Sequence, residues 1–153
     1  CAVPHPLSLF LVFFSQNSTY YFLVVRYPQR TIEPLRGSSA KLSCEANYLF
    51  EKCGVVHVVW HRLQENSETS SELTDPDHYL TTVNETISDD KWRRRQVVTE
   101  IMSVTRSDGG RYQCKATCES GEQAMGHFIT IESKYTPPKH SLLLTFFLLY
   151  SIR

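Results

Sequence analysis

Three kinds of side chain in this 153-residue chain could do chemistry: thiols, imidazoles and guanidinium groups. The thiols are Cys1, Cys44, Cys53, Cys114 and Cys118. Cysteines can bind metal, attack electrophiles or oxidise in pairs. His57 and His61 are the imidazoles that a metal site would recruit. Their spacing does not suit a zinc finger, and on a strand four residues span about 13 Å, too far for two ligands of one ion. We expect no metal and no other cofactor. The guanidinium groups sit in Lys91-Trp92-Arg93-Arg94-Arg95, a run that could hold a sulfated glycan or a phosphorylated ligand. Asp89 and Asp90 beside it offer the plainer reading, a solvated turn with local ion pairs. No serine lies in a Gly-x-Ser-x-Gly elbow, and neither a glycine-rich phosphate loop nor His-Glu-x-x-His occurs. Asp75 and Asp77 lie in a loop, and we assign them no partner base. We therefore assign no catalytic residue and expect no enzyme. Lys+Arg and Asp+Glu both number 16, so net charge is zero, which argues against a general nucleic-acid binder.

The elements that must carry these groups read as strands. Residues 20–25 are rich in aromatic and β-branched types, and Pro28 and Pro34 then impose an edge or a break. Residues 40–46 alternate, with Leu42, Cys44 and Ala46 on one face and Lys41, Ser43 and Glu45 on the other. Residues 47–54 read as a connection. In the strand 55–62, Val56, Val58 and Trp60 share one face, and His57, Val59 and His61 share the other. Polar residues 64–77 form a loop with room for a short edge strand, followed by a strand at 79–87. The strand 96–104 offers Val97, Ile101 and Val104 to the core. Asp108-Gly109-Gly110 supplies a turn into the strand 111–117, where Tyr112 and Cys114 share a face. A turn at 119–122 precedes a last strand at 125–131, with Ile129 and Ile131 inward.

A tyrosine two residues before a cysteine, just after an Asp-containing turn, resembles strand F of an immunoglobulin domain. Cys44 and Trp60 stand where that family has its strand B cysteine and strand C tryptophan. Over residues 20–133 the chain thus resembles a single variable-type (V-set-like) domain of the immunoglobulin superfamily. The resemblance implies an all-β, two-sheet sandwich. It implies a Cys44–Cys114 disulfide packed on Trp60, and a Tyr112 hydroxyl bonded back to the turn at Asp108. The 70 residues between these cysteines leave room for additional edge strands of the C′ type. It also brings Cys53 and Cys118 to one end of the neighbouring strands C and F, where a second bridge would pin the loops. Four cysteines permit three connectivities, and Cys1 or another chain are the competing partners.

The same fold places His57, Val59, His61, Gln113, Lys115 and Thr117 on one outer face. It reads either as a recognition patch or as an ordinary solvated sheet face. The family implies a cell-surface or secreted module that binds another cell-surface or secreted protein, in immune signalling or adhesion. A homodimer through the C–F–G face, binding of a sulfated glycan and a soluble decoy role are the alternatives.

The termini carry location signals. Apolar residues 6–14 suit a secretory signal, so 1–19 reads as a signal peptide or its remnant. Asn17-Ser18-Thr19 and Asn84-Glu85-Thr86 are glycosylation sequons, the second inside the domain. Residues 134–140 form a polar stalk before an apolar tail at 141–152. The tail reads as a GPI-attachment signal or a truncated membrane segment, and the plainer alternative is an extension of a secreted protein.

Overall fold

The computed structural model describes residues 21–66, 68–89 and 91–137. The expected signal peptide, Cys1, the Asn17 sequon and the apolar tail lie outside the described residues.

Two sheets, antiparallel except at one edge pair, pack face to face. The first is ordered β1 (Leu23–Arg26), β3 (Ala40–Leu49), β7 (Trp92–Ile101) and β6 (Tyr79–Ile87). The second is ordered β2 (Thr31–Ile32), β10 (Ile129–Ile131), β8 (Gly110–Cys118), β4 (Val56–Leu63) and β5 (Ser70–Glu72), with β9 (Gln123–Met125) also paired to β8. Alternation explains the layering. Along β3, Ala40, Leu42, Cys44, Ala46 and Tyr48 are all buried while the residues between them are not. Val56, Val58 and Trp60 answer from β4, and Tyr112, Cys114 and Ala116 from β8. Val97, Ile101 and Val104 are buried as well, with Ile129 and Ile131 closing the core beside Tyr112. The larger aliphatic side chains among them, such as Leu42, Val97 and Ile101, each contribute roughly 1.5–3 kcal/mol by leaving water.

The first strand breaks at the proline. β1 belongs to one sheet and β2 to the other, and Pro28, which has no N–H to give to a ladder, lies in the crossing between them. β2 then runs parallel to β10.

Four expectations need correction. β3 continues to Leu49, because Tyr48 keeps the inward alternation going past Ala46, and a one-turn helix α1 (Phe50–Cys53) replaces most of the expected loop. β7 begins at Trp92, so Arg93, Arg94 and Arg95 lie in a strand and not in a turn. The last strand is divided into β9 and β10, with Gly126, His127 and Phe128 between them. Among the described residues β5 is the one added edge strand of the second sheet, since the chain leaves at Leu73 to form β6 in the first sheet.

Tyr27 gives the cause of the divided strand. Its ring lies 4.9 Å from that of Trp60 and 4.5 Å from that of His127. Its hydroxyl donates to the His127 carbonyl and accepts the Cys114 N–H, which has no strand partner at the gap. A methyl group on Gly126 would overlap this ring, its carbon falling 2.2 Å from a ring atom. Glycine is therefore required there by close approach.

Candidate recognition face

The outward residues of the second sheet fall into three cross-strand rows. His57 lies opposite Thr117, which lies opposite Gln123. Val59 lies opposite Lys115, which lies opposite Met125. Glu72 lies opposite His61, which lies opposite Gln113. The six residues singled out in the sequence thus share one surface, spaced by the strand separation of about 5 Å. Five further residues, unforeseen, belong to it: Gln123, Met125, Glu72 and, at the divided strand, Phe128 and Arg111, whose guanidinium lies 5.2 Å from the Phe128 ring centre. Met125 is 57% exposed and Phe128 44%. Alternation in β9 points to Met125, but Phe128 lies in the gap, where no alternation applies.

The polar members differ in freedom. Gln113 Nε2 donates to the Gly126 carbonyl at 2.7 Å. His61 is half-buried, with Nδ1 3.4 Å from the Ser70 hydroxyl and Nε2 3.9 Å from Glu72. Burial lowers its pKa, the Glu72 carboxylate opposes that shift, and Lys115 and His57 add to it. His61 therefore stays neutral further below neutrality than a free imidazole does. His57 is exposed, and Lys115 and Arg111 make no ion pair among the described residues. The face therefore carries two uncompensated cations and one carboxylate, around the apolar Val59, Met125 and Phe128.

Below the face lies the turn that anchors β8. The Tyr112 hydroxyl donates to the Asp108 carbonyl. The Asp108 carboxylate accepts the N–H and hydroxyl of Thr105 and pairs with His78. Arg62 reaches the same turn, donating to the carbonyls of Ser107 and Gly109. At the other end, Cys53 and Cys118 are joined, with Cα atoms 4.8 Å apart. Gly54 follows Cys53 at φ 70°, a left-handed conformation that suits glycine, and Glu119 pairs with Val55 through both backbone and side chain. Cys44 and Cys114 join the sheets, with Cα atoms 6.5 Å apart, and Trp60 lies opposite Cys114 and is fully buried.

The basic run is largely spoken for. Arg93 and Arg95 point to the inner side of β7, where both pair with Glu85 of β6. Arg95 also donates to the Val56 carbonyl, and the Arg93 guanidinium stacks on Phe50 at 3.4 Å. Burial would raise the Glu85 carboxyl, but hydrogen bonds from Tyr48 and Arg95, with the charges of both arginines, hold it below the usual range. Arg94 faces outward, 3.7 Å from Glu45. Asp89 receives the N–H groups of Lys91 and Trp92. Asn84, next to Glu85 in β6, points the opposite way and is exposed on the outer face of the first sheet.

Among the described residues no three His, Cys, Asp or Glu side chains gather as metal ligands. Nor is any helix there long and apolar enough to cross a membrane. No curated protein matches the chain. The immunoglobulin-domain family matches residues 30–125, from the start of β2 to the end of β9 and so through both disulfides and the Tyr112 turn. The chain belongs to the immunoglobulin superfamily, whose domains serve broadly as protein–protein recognition modules.

Proposed function

We propose that this domain is an extracellular recognition module, on the cell surface or secreted, that binds another surface or secreted protein through the outer face of β4, β8 and β9. The observation that carries the reading is the middle row: Val59, Lys115 and Met125 side by side, with Met125 more than half exposed and Lys115 in no ion pair among the described residues. An apolar centre ringed by polar groups, held on a sheet bridged at Cys53–Cys118, has the composition of a protein interface. Preorganisation of this kind lowers the entropy lost on binding. Immune signalling or adhesion is the setting in which such a module acts, by analogy with its family.

Charge favours a different protein over a second copy. In a face-to-face homodimer Arg111 and Lys115 would meet the same cations, with one carboxylate per copy to offset them. An acidic rim on the partner fits better. The sulfated-glycan alternative is weakened by the pairing of Arg93, Arg94 and Arg95 with Glu85 and Glu45.

A receptor-array screen with the secreted domain tests the reading. Hits should be lost with Val59→Arg and kept with Val98→Arg on the other sheet. Hits that survive the first change and disappear with the second would move the contact to the opposite sheet.

A further inference from the structure

β6 is the edge strand of the first sheet, nine residues long, and its far side pairs with nothing among the described residues. Hydrogen bonds from the Met102 N–H to the His78 carbonyl and from the Ser88 N–H to the Trp92 carbonyl bracket its ladder with β7. In an antiparallel pair the bonded residues alternate. Even-numbered residues of β6 therefore turn their peptide groups toward β7. Thr81, Val83, Glu85 and Ile87 turn theirs to the open edge. That edge is also apolar: Leu80, Val83 and Ile87 are 54%, 57% and 69% exposed. Beside it runs a groove of about 460 Å³ between the sheets, lined by Val58, Leu73, Tyr79 and Val83.

Such an edge is a template for pairing with another chain, and proteins blunt it with proline, lysine, a bulge or a cover. β6 contains no proline and no lysine, and its register with β7 is unbroken over nine pairs. Its one charged side chain, Glu85, is held by Arg93 and Arg95. What it does contain, near its middle, is Asn84-Glu85-Thr86. Asn84 and Thr86 both project from the outer face into solvent, two residues apart on the same side.

We propose that Asn84 carries an N-linked glycan and that this glycan covers the open edge of β6, keeping two copies from pairing edge to edge. A bulky, hydrated chain rooted at the centre of the strand reaches the peptide groups on either side of it. It also occupies the outer face of the first sheet and leaves the second sheet clear. The proposal rests on the extracellular reading of the domain, but not on the recognition face.

The full chain, produced in secreting eukaryotic cells, tests it. Site-resolved glycopeptide mass spectrometry should find Asn84 occupied, read separately from Asn17, and sedimentation should find a monomer. Enzymatic removal of the glycan from the folded protein should turn the monomer into a concentration-dependent dimer or larger species. Asn84→Gln and Thr86→Ala should each do the same. Adding Val83→Lys to Asn84→Gln should restore the monomer, because a lysine at the edge opposes strand pairing. An unmodified Asn84 overturns the proposal, and so does a deglycosylated protein that stays monomeric. A dimer that ignores Val83→Lys and dissociates with Val59→Arg overturns it too, by placing the contact on the other sheet.

Discussion

The Tyr112 hydroxyl donates to the carbonyl oxygen of Asp108 at 2.6 Å, four residues back along the chain. Burial raises the phenol's pKa far above its usual value, so the hydroxyl remains a donor at every working pH. The bond ties the start of β8 to the turn that precedes it. Tyr112→Phe keeps the ring and leaves the carbonyl without its buried donor, a loss of about 1–3 kcal/mol. Urea unfolding should show that loss with an unchanged m-value, and full stability in the variant would remove the bond from the account.

Asp108 makes the domain acid-sensitive. Burial alone would raise its carboxyl, but the Thr105 N–H, the His78 ring and the Thr105 hydroxyl outweigh that and hold it below its ordinary value of 3.8. As pH falls, the unfolded carboxyl takes up a proton before the folded one. Its contribution is complete above the unfolded value and is lost as pH drops through the folded one. Stability of the wild type should therefore fall more steeply than that of Asp108→Asn below about pH 4. Parallel pH profiles for the two proteins would contradict this.

Gly126 should tolerate no side chain while Tyr27 stays in place. The methyl group of Gly126→Ala enters the Tyr27 ring, which Trp60 and His127 hold from two sides. Overpacking of this kind costs roughly 1–3 kcal/mol. The double variant with Tyr27→Ala should lose less than the two single losses added together. Strict additivity in thermal or urea unfolding would show that the two sites do not touch.

The second disulfide acts on a short path. Nine residues separate Cys53 from Cys44, and four separate Cys118 from Cys114. With Cys44–Cys114 closed, the Cys53–Cys118 bridge closes a loop of only about 13 residues, a contribution near 3 kcal/mol in the chain-entropy picture. Replacing both cysteines by serine should cost about that much and leave the sandwich folded, as read by urea unfolding and near-ultraviolet dichroism. An unchanged midpoint, or loss of the fold altogether, would contradict it.

Much of the sandwich is legible in local pattern. Alternation around Cys44, Trp60 and Cys114 assigns the inward faces of β3, β4 and β8, and the strand at 79–87 has the bounds of β6. What escapes local reading depends on contacts made at a distance. Three consecutive arginines read as solvated turn, because their carboxylates, Glu85 on β6 and Glu45 on β3, come beside them only when both strands pair with β7. The gap between β9 and β10 is set by Tyr27, 100 residues from its acceptor at His127. Asn47 reads as the start of a loop by residue type, yet β3 runs on, since Arg94, Arg93 and Trp92 of β7 extend the ladder beside Asn47, Tyr48 and Leu49. The outer face of the second sheet is legible at its β4 and β8 residues and not at Phe128, which owes its position to that same gap.

Hydroxyl-radical footprinting of the domain with and without a partner recovered from the array tests the central claim most directly. Binding through the outer face of β4, β8 and β9 should protect Met125, Phe128 and His57, while Leu80 and Trp92 on the first sheet react as before. Protection of Leu80 and Trp92, with Met125 and His57 still fully reactive, would contradict it.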